Sequence, residues 1–233
     1  MNTDQQSIQT TDTHSLTLSK LTRTMARAAG LLGIFAAVGT AALALTYTIT
    51  KDRIEANAHA ALVRNLQQII PAGRYDNDIA TDTLEIHESS LSIGGPVTIH
   101  RARKEGVPVA VVFTTVAPNG YSGNINLLIG VNVNGTVAGV RVVTHKETPG
   151  LGDKIEVERS PWITRFTGLA LNNPEASRWT VKKDGGAFDQ FSGATITPRA
   201  VVGAVRRTLQ YYEAHRDVLF APRSEFLAEG RGS

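Results

Sequence analysis

An unbroken run of 23 uncharged residues, Ala28 to Thr50, bounded by Arg27 and Lys51, sets the first limit on what this chain can fold into. Sixteen of them are apolar, three are Gly and four are Thr. As an α-helix rising about 1.5 Å per residue the run extends roughly 34 Å, enough to cross a hydrocarbon core of about 30 Å. Two other readings compete with a membrane anchor. Ala42-Leu43-Ala44 has the small-residue pattern of a signal-peptide cleavage site, and a long apolar helix can also lie buried in a soluble core. The run is longer than the usual apolar region of a signal peptide, and the leader before it is long, which favours an anchor that is retained. Charge does not orient it. Lys20, Arg23 and Arg27 lie before the run; Lys51, Arg53 and Arg64 lie after it.

A second uncharged stretch, Gly106 to Val140, is longer still, but it is not another crossing. Pro108, Pro118 and five asparagines interrupt it, and Asn132-Val133-Asn134 alternates polar and apolar residues. Asn134-Gly135 favours the centre of a type I′ turn, so the segment reads as a hairpin with strands near 125–133 and 136–145. Further strands are expected at 84–88, 97–103 and 107–116, with turns at Gly94-Gly95-Pro96 and Pro118-Asn119-Gly120. Helices are expected over 51–69, closed by Pro71 and Gly73, over about 153–171, and from Pro198 to about Val218. One more strand is expected near 178–183.

The organisation that follows is an α+β fold: a central antiparallel sheet with flanking helices, preceded by one N-terminal transmembrane helix. Its segments are a polar stretch 1–27 whose first 19 residues lack apolar periodicity and are read as disordered, the span 28–50, a connecting helix 51–74, a domain over 75–220 and a tail 221–233. A net charge of +3 with scattered basic residues argues against nucleic acid as a partner. The absence of cysteine excludes disulfides, iron–sulfur clusters on this chain's own thiolates and haem attachment through CxxCH. A redox role would need an organic cofactor or a His-ligated metal.

The segment Asp189-Gln-Phe-Ser192-Gly193-Ala194-Thr195-Ile-Thr197-Pro198 carries the chemistry. Thr197 suits an N-cap and Pro198 a first helical position, so Ser192 to Thr195 form a turn feeding a helix N-terminus. Such an end carries partial positive charge and free N–H groups that accommodate phosphate. Ser192, Gly193 and Ala194 are expected to offer those amides, with the Thr195 hydroxyl close by. Taken alone, a tetrapeptide of this kind is far more often a plain turn and cap.

This stretch resembles the D-x-x-S/T-G-A-T motif of the FMN-binding family, in which a flavin transferase joins the FMN phosphate to the last Thr as a phosphoester. Asp189, Ser192, Gly193, Ala194 and Thr195 match it position for position. Thr144 to Lys154, Trp179 to Gly186 and Thr195 to Val202 also resemble the G subunits of Rnf-type electron-transport complexes, over residues 28–215. The resemblance implies a covalent FMN on Thr195 and a redox subunit without a catalytic residue of its own. It implies partners in the other membrane subunits, the flavin transferase and the lipid bilayer. It also implies a single-pass location in the bacterial inner membrane, with residues 1–27 cytoplasmic and the flavin domain periplasmic. Alternatives are the C subunit of a sodium-translocating quinone reductase and a membrane-tethered flavin sensor or regulatory module.

By the same resemblance the loop Glu147-Thr148-Pro149-Gly150-Leu151-Gly152 flanks the flavin ring. A simple strand-to-helix connection is the competing reading. Asp189 is assigned to transferase recognition, against a solvated loop carboxylate. Lys183 could reach the flavin's polar edge or phosphate, or be a solvated turn residue. Tyr121, between glycines, could stack on the ring or be an ordinary exposed loop tyrosine. His145 has no HxxH partner or His/Glu cluster beside it, and no metal is expected.

Overall fold

The computed structural model describes residues 4–221, so most of the expected tail lies outside the described residues. The chain forms two compact units, Met1–Ala58 and His59–Ser233.

Helix α1 (Asp4–Ile69) is a single element. Residues 4–19, expected to be disordered, are helical, and the span and connecting helix are not separate. No Gly or Pro interrupts residues 4–27. Once the apolar run is helical, extension upstream needs no new nucleus. Within the first unit Leu31, Leu32, Ile34, Phe35, Val38, Leu43 and Leu45 are all exposed, and an 18-residue window of the helix reaches a mean hydropathy of 2.1. A helix that is apolar on all sides without a protein surface covering it has the character of a membrane-crossing segment.

The second unit is built on a five-stranded antiparallel sheet in sequential order. Its strands are β1 (Thr83–Ile86), β2 (Val97–Lys104), β3 (Val107–Gly120), β4 (Gly123–Asn132) and β5 (Val137–Thr144). Alternation divides the strand residues between two faces. Val97, Ile99, Val111, Phe113, Ile125, Leu127 and Ile129 face one core, which they share with helix α2 (Ile196–Leu219). Ala102, Ala110, Val112 and Leu128 face the other, against Leu62, Leu66 and Ile69 from the end of α1 and Ile70 just beyond it. The fold is α+β, as expected, with helices flanking the sheet. Gly130 and Gly139 pair across β4 and β5 directly beneath Ile69, where a Cβ on Gly130 would lie under 3.0 Å from Ile69 Cγ2.

Both hairpin turns differ from expectation. Pro118 and Asn119 lie within β3, and the reversal is the pair Tyr121-Ser122, flanked by Gly120 and Gly123. At Asn134-Gly135 only the glycine has positive φ, +83°, whereas a type I′ turn needs two such residues. The Gly135 amide donates to Asn132 O and the Asn132 amide to Thr136 O, which makes a three-residue loop ending in a left-handed glycine.

Residues 153–171 do not form an α-helix. Only 3₁₀ turns occur, at Asp153–Ile155 and Pro161–Phe166, the second capped by Ser160. The expected strand near 178–183 is likewise two 3₁₀ turns, Ala176–Arg178 and Lys182–Asp184, with one bridge from Val181 to Phe188. What holds this region is aromatic packing. Phe166 stacks on Phe188 at 4.8 Å, Trp179 meets Phe188 at 5.2 Å and Trp162 meets Phe191 edge-on at 5.1 Å. Both tryptophans of the chain are spent here.

Candidate functional site

The aromatic cluster delivers the segment 188–191 to the start of α2. The Trp162 indole N–H donates to Asp189 O at 2.8 Å, fixing the backbone just before the motif turn. The Asp189 carboxylate, partly exposed, receives Arg165 Nη1 on one oxygen and Lys182 Nζ, 2.5 Å away, on the other. It is therefore a held group rather than a freely solvated one.

Phe191 to Ala194 form a tight turn in which Gly193 has a φ of +80°, a conformation that costs glycine little. The Ala194 amide donates to Phe191 O at 3.1 Å, so it is committed within the turn and does not point outward as the sequence suggests. The Ser192 and Gly193 amides have no such backbone partner. The first backbone bond of α2 runs from the Arg199 amide to Thr195 O, leaving the amides of Thr195, Ile196 and Thr197 ahead of the helical ladder.

Thr195, not Thr197, is the N-cap residue. Its backbone is already helical, with φ −73° and ψ −29°, and its hydroxyl makes no capping bond. A capping Thr has extended backbone and turns its oxygen back onto the helix. Here the hydroxyl is left available at the positive end of a 24-residue helix. Thr197 lies within the first turn, fully buried, and its hydroxyl donates to Glu147 Oε2.

Glu147 to Gly152 come up beside this start. The Leu151 and Gly152 amides both donate to Thr148 O, at 3.1 and 3.0 Å, which closes the loop into a compact bend with Pro149 and Gly150 exposed at its outside. Tyr121, Glu147, Thr148, Leu151, Gly152, Gly193, Ala194 and Thr197 line a cavity of about 270 Å³. Three segments proposed separately from sequence thus meet around one cavity. Pro149, Gly150, Ser192 and Thr195 are not among the lining residues, though each adjoins one in sequence. Lys183 does not line it: its side chain is exposed and its amide donates to Gln190 Oε1 at 3.2 Å. A larger depression, about 570 Å³, is lined by Asn134, Ala170, Leu171, Asn172, Glu175, Ala176 and Glu213 and shares no residue with the motif.

The start of α2 is also held from outside. Arg199 forms a bidentate pair with Asp184, at 2.6 and 2.9 Å, and the hydrogen bond from Arg199 holds the Asp184 carboxyl below its ordinary range. His145 has both ring nitrogens occupied. Its Nδ1 accepts the Glu147 amide at 3.0 Å, so the proton sits on Nε2, which faces Glu156 Oε1 at 2.7 Å. That arrangement fixes the beginning of the loop.

Comparison with known proteins agrees with this geometry. The FMN-binding domain model matches residues 120–210, which contain every lining residue of the cavity, and the RnfG N-terminal region model matches residues 14–69. The second match begins inside the polar leader, upstream of the residues 28–215 over which the motifs carry the resemblance. The G subunit of the ion-translocating oxidoreductase complex of Pseudoalteromonas atlantica is 46% identical over 196 residues, covering 84% of this chain and 91% of that protein. The chain belongs to this G-subunit family. The corresponding G subunit of Pseudomonas aeruginosa is 47% identical over 201 residues, covering 86% and 94% of the two chains. That of Vibrio cholerae is 43% identical over 189 residues, covering 81% and 90%. The similarity to these G subunits thus runs through anchor and domain alike. Two cavity residues differ from the sequence reading: the Ala194 amide is turned into its own turn, and Thr197 is not the N-cap but faces the cavity wall. A Thr-Pro pair signals a helix start, but nothing local says that the threonine turns inward.

Proposed function

We propose that this chain is a membrane-anchored electron carrier of an Rnf-type ion-translocating complex, with FMN joined through its phosphate to the Thr195 hydroxyl. The observation that carries the proposal is the uncapped hydroxyl of Thr195 at the N-terminus of α2, between Ala194 and Thr197, which both line a cavity of about 270 Å³.

The residues present fit such a group. The amides of Thr195, Ile196 and Thr197 and the helix dipole suit a phosphate. Gly193 and Ala194 bring little bulk to its approach, and the exposed Ser192 adds a hydroxyl. Tyr121, Leu151 and Ile196 are 68%, 42% and 43% exposed, which leaves apolar surface around the cavity for a flat ring to cover. Bound FMN would supply transfer of one or two electrons. The chain's own part is to bind and orient the group and set its surroundings, with no catalytic residue. Lys183 remains a candidate for the flavin's polar edge only through movement of its exposed side chain. Asp189, fixed by Arg165 and Lys182, presents the motif to a flavin transferase in one conformation. Partners are the other membrane subunits, and the domain lies on the periplasmic side of the bacterial inner membrane. The name shared by these relatives weighs against the quinone-reductase and sensor readings.

Thr195→Val, expressed together with the transferase, should fold yet carry no attached flavin. Intact mass should fall from chain plus FMN minus water to the bare chain. A denatured band of this variant that still shows flavin fluorescence would refute the assignment.

A further inference from the structure

Glu147 occupies an unusual place in the cavity wall. It is 5% exposed, yet its carboxylate joins three segments that are remote in sequence. Its Oε1 accepts the Ser122 amide at 2.9 Å, from the tip of the β3–β4 hairpin. Its Oε2 accepts the Thr197 hydroxyl, from the first turn of α2 two residues beyond Thr195. Its own amide is held by His145 Nδ1 at 3.0 Å.

The surrounding backbone leaves room for this carboxylate and little else. A Cβ on Gly120 would lie 2.8 Å from Glu147 Oε1. One on Gly152 would lie 2.9 Å from both Cβ and Oε2 of Glu147 and 3.0 Å from Thr197 Oγ1. In the first turn of a helix a threonine has no preceding turn whose carbonyl could accept its hydroxyl, so the group goes to water or to a partner elsewhere. Thr197 reaches out of its helix to a side chain 50 residues away in sequence.

We propose that Glu147 and Thr197 are positioning residues: their hydrogen bond clamps the start of α2 to the hairpin tip and the 147–152 loop, and so holds the Thr195 hydroxyl at the cavity for flavin attachment. The proposal rests on the reading of Thr195 as the attachment point. Neither side chain is altered during attachment. Their contribution is orientation, and a misplacement of about 1 Å from such a site can slow a reaction on the order of 100-fold.

The test follows attached flavin per folded full-length chain, by intact mass at fixed times after induction in cells that also express the transferase. Thr197→Val keeps shape and removes the donor. It should accumulate flavin at least about ten-fold more slowly, whereas Thr197→Ser, which restores the hydroxyl, should stay within about three-fold of the parent. A purely structural role would lower the melting temperature of Thr197→Val and leave its attachment rate unchanged; that result overturns the clamp. If Thr197→Val does not fold, Glu147→Gln and Glu147→Ala decide. The amide can still accept from Ser122 and can donate to Thr197, so Gln should attach flavin near the parent rate and Ala slowly. Equal rates overturn the clamp. A parent chain that carries no flavin on Thr195 overturns the attachment reading itself, and the clamp with it.

Discussion

At the residue scale the most informative titratable group outside the site is His100. It is buried on the α1 side of the sheet, with Nδ1 3.1 Å from Ile79 O, so the proton must sit on Nδ1. Burial pushes its pKa below the ordinary value, and the carbonyl offsets only part of that. The unfolded chain therefore binds a proton near pH 6.5 that the folded chain refuses until lower pH. Stability should fall as pH drops below about 6.5 and level off once the folded histidine also protonates. Chemical denaturation of the full chain in detergent between pH 8 and 4 checks this. His100→Gln, whose amide can still donate to Ile79 O, should lose that component of the slope; an unchanged slope refutes it. Asp184 has the opposite linkage, since Arg199 depresses its pKa. What it contributes is present above about pH 4 and disappears as pH falls through the depressed folded value.

At the scale of elements, predictions concern what packs against what. Gly130→Ala places a methyl under 3.0 Å from Ile69 Cγ2 and should cost roughly 1–3 kcal/mol through displacement of the end of α1. At the paired Gly139 the new Cβ would find Ile69 at 3.5 Å, an ordinary contact, so Gly139→Ala should be much milder. Denaturant midpoints of the two variants check the contrast, and equal losses would contradict it. Phe166→Ala should cost about 3–5 kcal/mol, because the ring is fully buried between Trp162, Trp179 and Phe188. The same packing explains which elements were legible in the sequence. Both faces of the sheet are buried, so the strands read as apolar runs bounded by turn residues, and all five were recognised within a few residues. Residues 153–171 carry apolar side chains at intervals that also suit a helix. Pro161 and the demands of the aromatic cluster break them into 3₁₀ turns instead. Their conformation is set by partners far along the chain, and no local period records that.

At the scale of the whole molecule the two units pose separate questions. The apolar surface of α1 between Met25 and Ile49 is exposed to at least 58% at each of its large side chains, so the chain should stay with the membrane pellet through an alkaline carbonate wash. Replacement of Phe35 and Val38 by Arg should release it, at a cost of about 2.5–3.5 kcal/mol for each charge at the bilayer centre. The proposed periplasmic side has its own test. Protease added to intact spheroplasts should digest the domain of residues 59–221, and protection until lysis would reverse the orientation.

By itself the sequence determined the parts that rest on local pattern: one long apolar run, apolar strands bounded by turn residues, a Gly-Ala turn entering a helix, and a hydroxyl at that turn. These follow from period, turn chemistry and helix termini, which act over a few residues. Tertiary structure alone decided how the parts meet. It made Thr195 the uncapped residue, committed the Ala194 amide within its turn, left Lys183 outside the cavity and turned Thr197 inward onto Glu147. The last of these depends on groups 25 and 50 residues from Glu147 that bond its two buried carboxylate oxygens, one each. A buried carboxylate takes whichever donors the fold delivers.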